Sequence, residues 1–179
     1  PRAKEAAVVD GLRRAAAEMY PALLSNDDYT SIVNGHHRER LQALIDDAGE
    51  KGADIVEVNP AGEDFTGANS NKMPLTIVRS PTDDMAVMQE EIFGPVLPIR
   101  TYDRMEDAAA YVNARDLPLG LYYFGTDSEE EERVLSTTIS GGVTVNDVVM
   151  HVSVEDLPFG GIGPSGMGHY HGRDGFRTF

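Results

Sequence analysis

The sequence predicts an α/β fold in which a mostly parallel, twisted sheet is flanked by helices. Segments with apolar residues at helical spacing alternate with short segments typical of strands, and such alternation favours parallel strands joined by helical crossovers. The composition agrees, since 41% of the 179 residues are hydrophobic and 25% are charged, as in ordinary globular domains. We expect residues 1–150 to form the α/β domain and the glycine-rich residues 151–179 to wrap around it as an irregular tail.

The predicted helices and strands follow one another in a clear order. Pro21 stops the first helix and Gly49 closes the second, because both residue types interrupt helices. Asp103 is expected to cap the third helix, and Asp127 or Ser128 the fourth. The fourth strand is almost wholly apolar and should therefore be buried on both faces. Helices are predicted over residues 6–19, 37–48, 103–113 and from 127 to the glycines at 141–142, and strands over 54–58, 75–78, 96–102, 119–124 and 143–145, with a polar loop over 59–72.

Composition and charge exclude several kinds of protein. The chain has no cysteine, which excludes disulfides, thiolate zinc sites and a thiol nucleophile within it. A net charge of −15 disfavours nucleic acid, which binds clustered lysines and arginines. The sequence contains neither an apolar run of about 18 residues for a membrane span nor an apolar signal segment, so no membrane span is expected. The absence of cysteine fits a cytoplasmic protein. The chain starts at Pro1 without an initiator methionine, which predicts that it belongs to a longer protein.

The glycine-rich segment 161–166 satisfies the pattern G-x-G-x-x-G. As a dinucleotide fingerprint, that pattern needs a preceding strand, a following helix and an acidic residue about 20 positions further on. Here Pro164 interrupts the loop and the chain ends at Phe179, so we reject this interpretation. Ser165 with His171 suggests a serine hydrolase, but the segment lacks the last glycine of a nucleophile elbow. We expect Ser165 to hydrogen-bond within its own loop.

Four histidines occur as two close pairs, His36 with His37 and His169 with His171. Neither pair has the H-x-x-x-H or H-E-x-x-H spacing of helical zinc ligands. Histidines at the start of a helix are expected to be solvated. The sequence therefore predicts no functional metal site.

Glu90 and Glu91 precede an Ile-Phe-Gly-Pro segment and a predicted strand. A carboxylate at this point could accept both hydroxyls of a ribose, as acidic residues do in other dinucleotide sites, and Phe93 could pack against a flat ring. The alternative is a pair of surface acids before a turn, which is the usual state of such residues. Spacing alone favours the surface acids, and both interpretations stay open at this point.

Three groups of residues resemble the aldehyde dehydrogenase superfamily along essentially the whole chain. They are Met-Gln-Glu-Glu-Ile-Phe-Gly-Pro-Val-Leu-Pro-Ile at 88–99, Ser-Gly-Gly-Val and Val-Asn-Asp-Val within 140–148, and Leu-Pro-Phe-Gly-Gly, Ser-Gly-Met-Gly and Tyr-His-Gly within 157–172. Details of each group are similar to the class 3 branch, which includes bacterial coniferyl aldehyde dehydrogenases. The resemblance implies that the chain is the C-terminal piece of the catalytic domain of an NAD(P)-dependent aldehyde dehydrogenase.

The resemblance also implies a mechanism. In this family a cysteine thiolate attacks the aldehyde, hydride passes to the nicotinamide, and a glutamate-activated water hydrolyses the thioester while an asparagine and a backbone N–H hold the oxyanion. All three side chains belong to segments that precede Pro1, so no catalytic residue is expected in this chain. We therefore predict that the isolated chain cannot oxidise an aldehyde and that the parent protein can.

By the same resemblance, cofactor and substrate residues do lie within the chain. Glu91 would bind the nicotinamide ribose hydroxyls and Phe93 would pack near the nicotinamide of NAD or NADP. The expected aldehyde pocket combines one phenylalanine, residues of the loop after the last strand and two residues of the tail: Phe159, Val149, Val152, Ser153, Tyr170 and His171.

The resemblance implies a homo-oligomer, a dimer or a tetramer, for the parent protein. An isolated fragment would expose surfaces meant for the missing half and would tend to self-associate. A non-catalytic binding or scaffold module of the same fold is the alternative. The missing methionine and the otherwise unused glycines of the tail favour the enzyme fragment.

Overall fold

The structure, a computed structural model, describes residues 1–66 and 70–179 and confirms the α/β class. The chain forms two compact units, Pro1–Thr101 and Tyr102–Phe179, called unit 1 and unit 2 below. The strands form one mixed sheet of three strands and one parallel sheet of two strands. The division of the chain into a domain and a tail at residue 150 remains a prediction. None of the helices in the described ranges combines the length and the apolar character that crossing a membrane requires.

Unit 1 places two helices against a three-stranded sheet. The strand order is β1-β2-β3; the first pair is antiparallel and the second is parallel, with Ile77 opposite both Val56 and Leu97. The third predicted strand is shorter than expected. The elements are α1 (Glu5–Met19), α2 (Gly35–Glu50), β1 (Asp54–Val58), β2 (Leu75–Arg79) and β3 (Val96–Ile99), with 3-10 turns at Arg2–Lys4 and Ala86–Met88.

Both ends of α2 have an identifiable cause. The Asn34 side chain accepts a hydrogen bond of 2.9 Å from the His37 amide and caps the first turn. The predicted end at Gly49 is wrong, because the helix continues to Glu50 with Lys51 at its C-cap. A glycine inside a helix is tolerated, and this helix ends just before Gly52, whose positive φ of +91° is common immediately after a helix.

The core of unit 1 lies on both faces of its sheet. Ile77 and Val78 are neighbours on β2 and fully buried, and successive strand residues point to opposite faces. Ile77 packs with Val9 of α1, whereas Val78 packs with Leu41 of α2. Each helix therefore covers one face of the sheet.

The segment between α1 and α2 is held by a buried cation. The Lys72 ammonium donates to the carbonyls of Leu23, Leu24 and Asn26 at 3.1, 3.1 and 2.6 Å. The Glu63 carboxylate accepts from the Leu23 and Leu24 amides. Both charged residues come from the predicted polar loop 59–72, of which residues 67–69 lie outside the described residues.

Unit 2 consists of a two-stranded parallel sheet and short helices. Leu121 lies opposite Val143 in the strand pairing. The tail is less irregular than expected, because it contains two short helices and a 3-10 turn at Gly163–Ser165. The elements are α3 (Met105–Asn113), β4 (Gly120–Tyr123), α4 (Ser128–Thr137), β5 (Gly142–Val145), α5 (Met150–Ser153) and α6 (Gly172–Thr178).

The helix caps of unit 2 confirm one expectation and correct two. Asp127 caps α4 as predicted, since its side chain accepts from the amides of Glu129 and Glu130. Asp103 is not the N-cap of α3; Arg104 holds that position without a side-chain cap. The glycines at 141–142 do not end α4, which stops at Thr137, and Gly142 begins β5 instead.

The expectation that the fourth strand is buried on both faces is wrong. Leu119, Tyr122 and Phe124 are exposed, and only Tyr123 is fully buried. The physical reason is that β4 pairs with β5 alone in a two-stranded sheet, so the described residues of unit 2 do not provide a second covering layer.

Candidate functional site

The acidic turn of unit 1 lies between the 3-10 turn at Ala86–Met88 and β3. Glu90 and Glu91 are exposed, and Ile92 packs against the core. Phe93 has φ +52° and is 78% exposed. A Cβ atom added at Gly94 would overlap the Leu41 side chain, so this glycine lets the turn press against α2.

The turn is fastened to α2 by a single arginine. The two terminal nitrogens of Arg40 donate to the carbonyls of Glu91 and Ile92 at 3.0 and 2.6 Å. The same guanidinium lies 3.6 Å from the Glu90 carboxylate. Within the described part of the chain, the Glu91 carboxylate has no hydrogen-bond or ion-pair partner, so both of its oxygens are available to a ligand.

An apolar cavity of about 790 Å³ opens beside this turn. Its size falls in the range of small-molecule sites. Apolar atoms supply most of its wall, and Phe93 is one of the lining residues. The lining residues include Tyr20, Tyr29, Ile32, Val33, Phe93 and Pro95.

In unit 2 the structure brings together three residues of the predicted aldehyde pocket. Phe159 and Tyr170 exchange two backbone hydrogen bonds of 2.9 Å in an isolated antiparallel bridge. The rings of Tyr170 and His171 lie 5.3 and 6.0 Å from that of Phe159. The His171 Nδ1 atom is buried and has no hydrogen-bond partner among the residues that the structure describes, which leaves a polar atom available within an aromatic cluster.

His151 joins this cluster, although sequence reasoning missed it. It is 6% exposed, and its ring lies 5.8 Å from Phe159 and 5.9 Å from Tyr122. Its Nδ1 atom is 3.0 Å from the hydroxyl of Thr144 on β5. The available signal was its position between Val149 and Val152, two predicted pocket residues.

The remaining predicted pocket residues surround His151 on α5. Val149 is the N-cap of this helix and is exposed. Val152 is half-buried, and the exposed Ser153 donates from its hydroxyl to the Met150 carbonyl at 2.8 Å. The structure thus holds them beside His151, at α5 or immediately before it.

Backbone strain coincides with the predicted site residues. Among the described residues, five that are not glycine have positive φ, and three of them are Phe93, Val149 and His171. Positive φ costs energy for aromatic and β-branched residues and tends to persist at functional sites. This coincidence supports a functional interpretation of both regions.

Ser165 hydrogen-bonds within its own glycine-rich loop, as the sequence predicts. The Ser165 hydroxyl accepts from the Ile162 amide at 2.9 Å and donates to the Ile162 carbonyl at 3.1 Å. These bonds confirm its structural role and leave it no histidine partner in the described chain. A short 3-10 turn at Gly163–Ser165, rather than a helix, occupies the loop. Among the described residues, no group of three or more histidines or acids is arranged to hold a metal ion.

The chain is similar to several proteins named as aldehyde dehydrogenases. A "Probable coniferyl aldehyde dehydrogenase" of Caulobacter vibrioides is 54% identical over 179 residues, which are 100% of this chain and 37% of that protein. The coniferyl aldehyde dehydrogenase of a Pseudomonas strain is 50% identical over 166 residues, covering 93% and 34%. Aldehyde dehydrogenase family 3 member A2 of Mus musculus is 40% identical over 173 residues, covering 96% and 34%. The chain thus spans about a third of the length of these relatives.

The solved structures match in fold over nearly the whole chain. A substrate-bound AldH of Staphylococcus aureus has a TM-score of 0.83 at 36% identity, covering 99% of this chain and 37% of that one. A mutant aldehyde dehydrogenase C of Pseudomonas syringae, solved with NAD⁺ and octanal, has a TM-score of 0.78 at 28% identity, covering 98% and 36%. The family profile "Aldehyde dehydrogenase family" matches residues 5–179. This chain therefore belongs to the aldehyde dehydrogenase family.

Proposed function

We propose that this chain is the C-terminal part of an NAD(P)-dependent aldehyde dehydrogenase that oxidises an aldehyde to the carboxylic acid. Two relatives whose names specify coniferyl aldehyde, at 54% and 50% identity, support coniferyl aldehyde or another aromatic or aliphatic aldehyde as the substrate. The parent enzyme is proposed to be cytoplasmic.

We propose that the acidic turn of unit 1 binds the nicotinamide end of NAD or NADP. The observation that carries this proposal is the exposed Glu91 carboxylate, which has no protein partner in the described chain and lies on the same turn as Phe93. Two carboxylate oxygens can accept the two hydroxyls of a ribose. The strained, exposed Phe93 beside an apolar cavity fits a flat ring. When bound, the cofactor accepts hydride from the substrate.

We propose that the aromatic cluster of unit 2 lines the aldehyde pocket. Phe159, Tyr170 and His171 present flat and polar surfaces together, which suits an aldehyde carried on an aromatic or hydrocarbon body. Val149, Val152 and Ser153 would shape the entrance from α5. These residues bind and orient the substrate and exclude water, and the reacting nucleophile comes from elsewhere in the parent enzyme.

Exchange of Glu91 tests the cofactor role directly. In the full-length parent enzyme, Glu91→Gln should raise the KM for NAD(P) about tenfold, because a charge-assisted hydrogen bond contributes about 1.5–3 kcal/mol. The matched control is Glu90→Gln, which removes the neighbouring exposed charge and should change this KM less than about twofold. Equal effects of the two exchanges would contradict the assignment.

Activity of the isolated chain tests the fragment assignment. Because it contains no cysteine, the purified 179-residue chain should produce no NADH or NADPH from coniferyl aldehyde with either cofactor. The full-length parent should do so under the same conditions. Steady cofactor reduction by the purified chain would overturn the assignment.

We also propose that the parent enzyme is a dimer or a tetramer. Most of the exposed large apolar side chains belong to unit 2, and clustered apolar surface is typical of faces that bind other polypeptide. Light scattering after size-exclusion chromatography measures the assembly, and a monomeric parent would contradict this proposal.

A further inference from the structure

We propose that Arg40 is a positioning residue for the cofactor, because it holds the backbone on which Glu91 and Phe93 are presented. The inference rests on the proposed function, since Arg40 acts through Glu91 rather than on the cofactor itself. It goes beyond that function by assigning a role to a helix residue 51 positions away along the chain.

The geometry of Arg40 suits an anchor better than a ligand. Its planar fork donates to two consecutive carbonyls, those of Glu91 and Ile92, at 3.0 and 2.6 Å. An arginine fork makes two such bonds without rearrangement, whereas a lysine is a single flexible point charge. The side chain is 25% exposed, so water competes only in part for its donors.

The turn requires an anchor for two physical reasons. Glu90 and Glu91 are adjacent and exposed, and their like charges repel each other. Phe93 adopts φ +52°, a conformation that an aromatic residue keeps only where its surroundings hold it. Arg40 compensates the negative charge and fixes the two carbonyls immediately before Phe93.

The division of contacts leaves the functional carboxylate available. The Arg40 guanidinium approaches the Glu90 carboxylate at 3.6 Å. On Glu91 it contacts only the backbone carbonyl and not the carboxylate. The carboxylate of Glu91 is therefore held in place without being neutralised by a direct ion pair. Gly94, at the other end of the turn, allows close approach to Leu41 of the same helix.

The test uses four variants of the full-length parent enzyme: Arg40→Met, Arg40→Lys, Glu91→Gln and the Arg40→Met/Glu91→Gln double variant. KM for NAD(P), KM for the aldehyde and kcat are measured, with NADH or NADPH binding followed by fluorescence titration. Arg40→Met should weaken cofactor binding about tenfold, as expected for lost charge-assisted bonds, and leave the aldehyde KM within about twofold. Arg40→Lys should recover part of the loss, because an ammonium can still reach one carbonyl.

The double variant distinguishes positioning from independent binding. If Arg40 acts through the turn that presents Glu91 and Phe93, the double variant should lose less cofactor affinity than the product of the two single losses, because residues that act as a unit are not additive. Multiplied single effects would overturn the inference. Arg104→Met, which removes an exposed arginine paired with Asp107, serves as the matched control and should leave cofactor binding unchanged.

The outcomes separate this inference from the proposed function. If Glu91→Gln weakens cofactor binding and Arg40→Met does not, the inference fails and the ribose role of Glu91 stands. If Glu91→Gln has no effect on cofactor binding, the ribose role fails and the inference fails with it. Thermal unfolding of each variant shows whether a loss of cofactor binding accompanies a loss of folded protein. An Arg40→Met variant that raises both KM values in parallel with a lowered Tm would also overturn positioning.

Discussion

The two units of this chain bury their apolar residues very differently. Among the described residues, fifteen of the seventeen buried hydrophobic residues lie in unit 1 and only Tyr123 and Val134 lie in unit 2. The exposed large hydrophobic residues show the reverse distribution, with five in unit 1 and fifteen in unit 2. Unit 1 therefore stabilises itself by its own core, whereas unit 2 presents much of its apolar surface to the outside.

The two units also support their candidate site residues differently. The acidic turn of unit 1 rests on α2, a helix whose Leu41 is fully buried. The aromatic cluster of unit 2 is held by a short backbone bridge, Phe159 to Tyr170, and by a buried histidine, His151. We expect the turn to keep its shape in the isolated chain and the cluster to depend more on whatever covers unit 2 in the parent enzyme.

Exchanging one leucine in each unit for alanine should give the largest change in unfolding free energy, and it tests whether only unit 1 has a core of its own. Leu41→Ala empties a fully buried site in unit 1 and should lower the free energy of unfolding by about 2–5 kcal/mol. Leu119→Ala in unit 2, where the leucine is 43% exposed, should cost less than about 1 kcal/mol. Urea unfolding followed by circular dichroism measures both values. Equal losses would mean that unit 2 has a core of its own.

Removing a buried polar contact of unit 1 should also lower the unfolding free energy more than removing an exposed one of unit 2. The difference should be smaller than for the two leucines. Lys72→Met removes the ammonium that donates to three carbonyls of unit 1 at a site that is 8% exposed, and the Asn26 carbonyl then keeps the Tyr29 amide at 3.2 Å. Loss of the buried donor should cost about 2–3 kcal/mol. In unit 2, the exposed Asn146 side chain bridges both backbone groups of Gly125. Asn146→Gly removes this link while keeping positive φ accessible, and should cost about 1 kcal/mol or less. The same urea measurements test the order, and a larger loss for Asn146→Gly would contradict it.

The smallest expected effect is a pH dependence of unit 1 on the alkaline side. Burial, with a smaller contribution from Tyr20, raises the pKa of Tyr29 to about 12, and its hydroxyl donates to the Met73 carbonyl at 2.7 Å. Because the folded-state pKa lies above the unfolded value of 10.0, this contribution is complete below pH 10 and is lost as the pH rises towards 12.

Between pH 9 and pH 11, the wild-type chain should therefore lose about 1 kcal/mol more of its unfolding free energy than Tyr29→Phe does. Urea unfolding at the two pH values measures the difference. Tyr123→Phe sharpens the comparison, because burial and the hydrogen bond to Glu130 also raise the pKa of Tyr123 to about 12 in unit 2. Identical slopes for the wild type and Tyr29→Phe would show that the pKa of Tyr29 is the same in the folded and unfolded states, which contradicts the prediction.

Local patterns predicted much of the fold. The strand at Asp54–Val58 and the Asp127 cap follow from short segments whose preferences agree with their surroundings. The predicted end of α2 at Gly49 was wrong because the glycine with positive φ at this helix end is Gly52, and residue type alone does not distinguish two nearby glycines. The burial of β4 was wrong because an apolar run predicts a covered strand only where neighbouring layers exist.

Some residues of the candidate sites could likewise be predicted from the sequence, whereas others could not. Motif residues such as Phe159, Tyr170 and His171 could be chosen from their sequence context, and the structure brings them together. His151 was missed: its position between two predicted pocket residues pointed to it, but its contact with Thr144 exists only in the folded chain. The role of Arg40 was likewise hidden, since a guanidinium in a polar helix is ordinarily a solvated surface charge.

The sequence by itself determined the secondary-structure alternation, the family resemblance and the absence of a thiol nucleophile in this chain. These depend on residue identity and on neighbours within a few positions. Only the tertiary structure decided that Arg40 holds a turn 51 residues away and that Lys72 fastens a segment 46 to 49 residues away. The physical reason is that hydrogen bonds between distant segments depend on how helices and strands pack in three dimensions, which no local periodicity records.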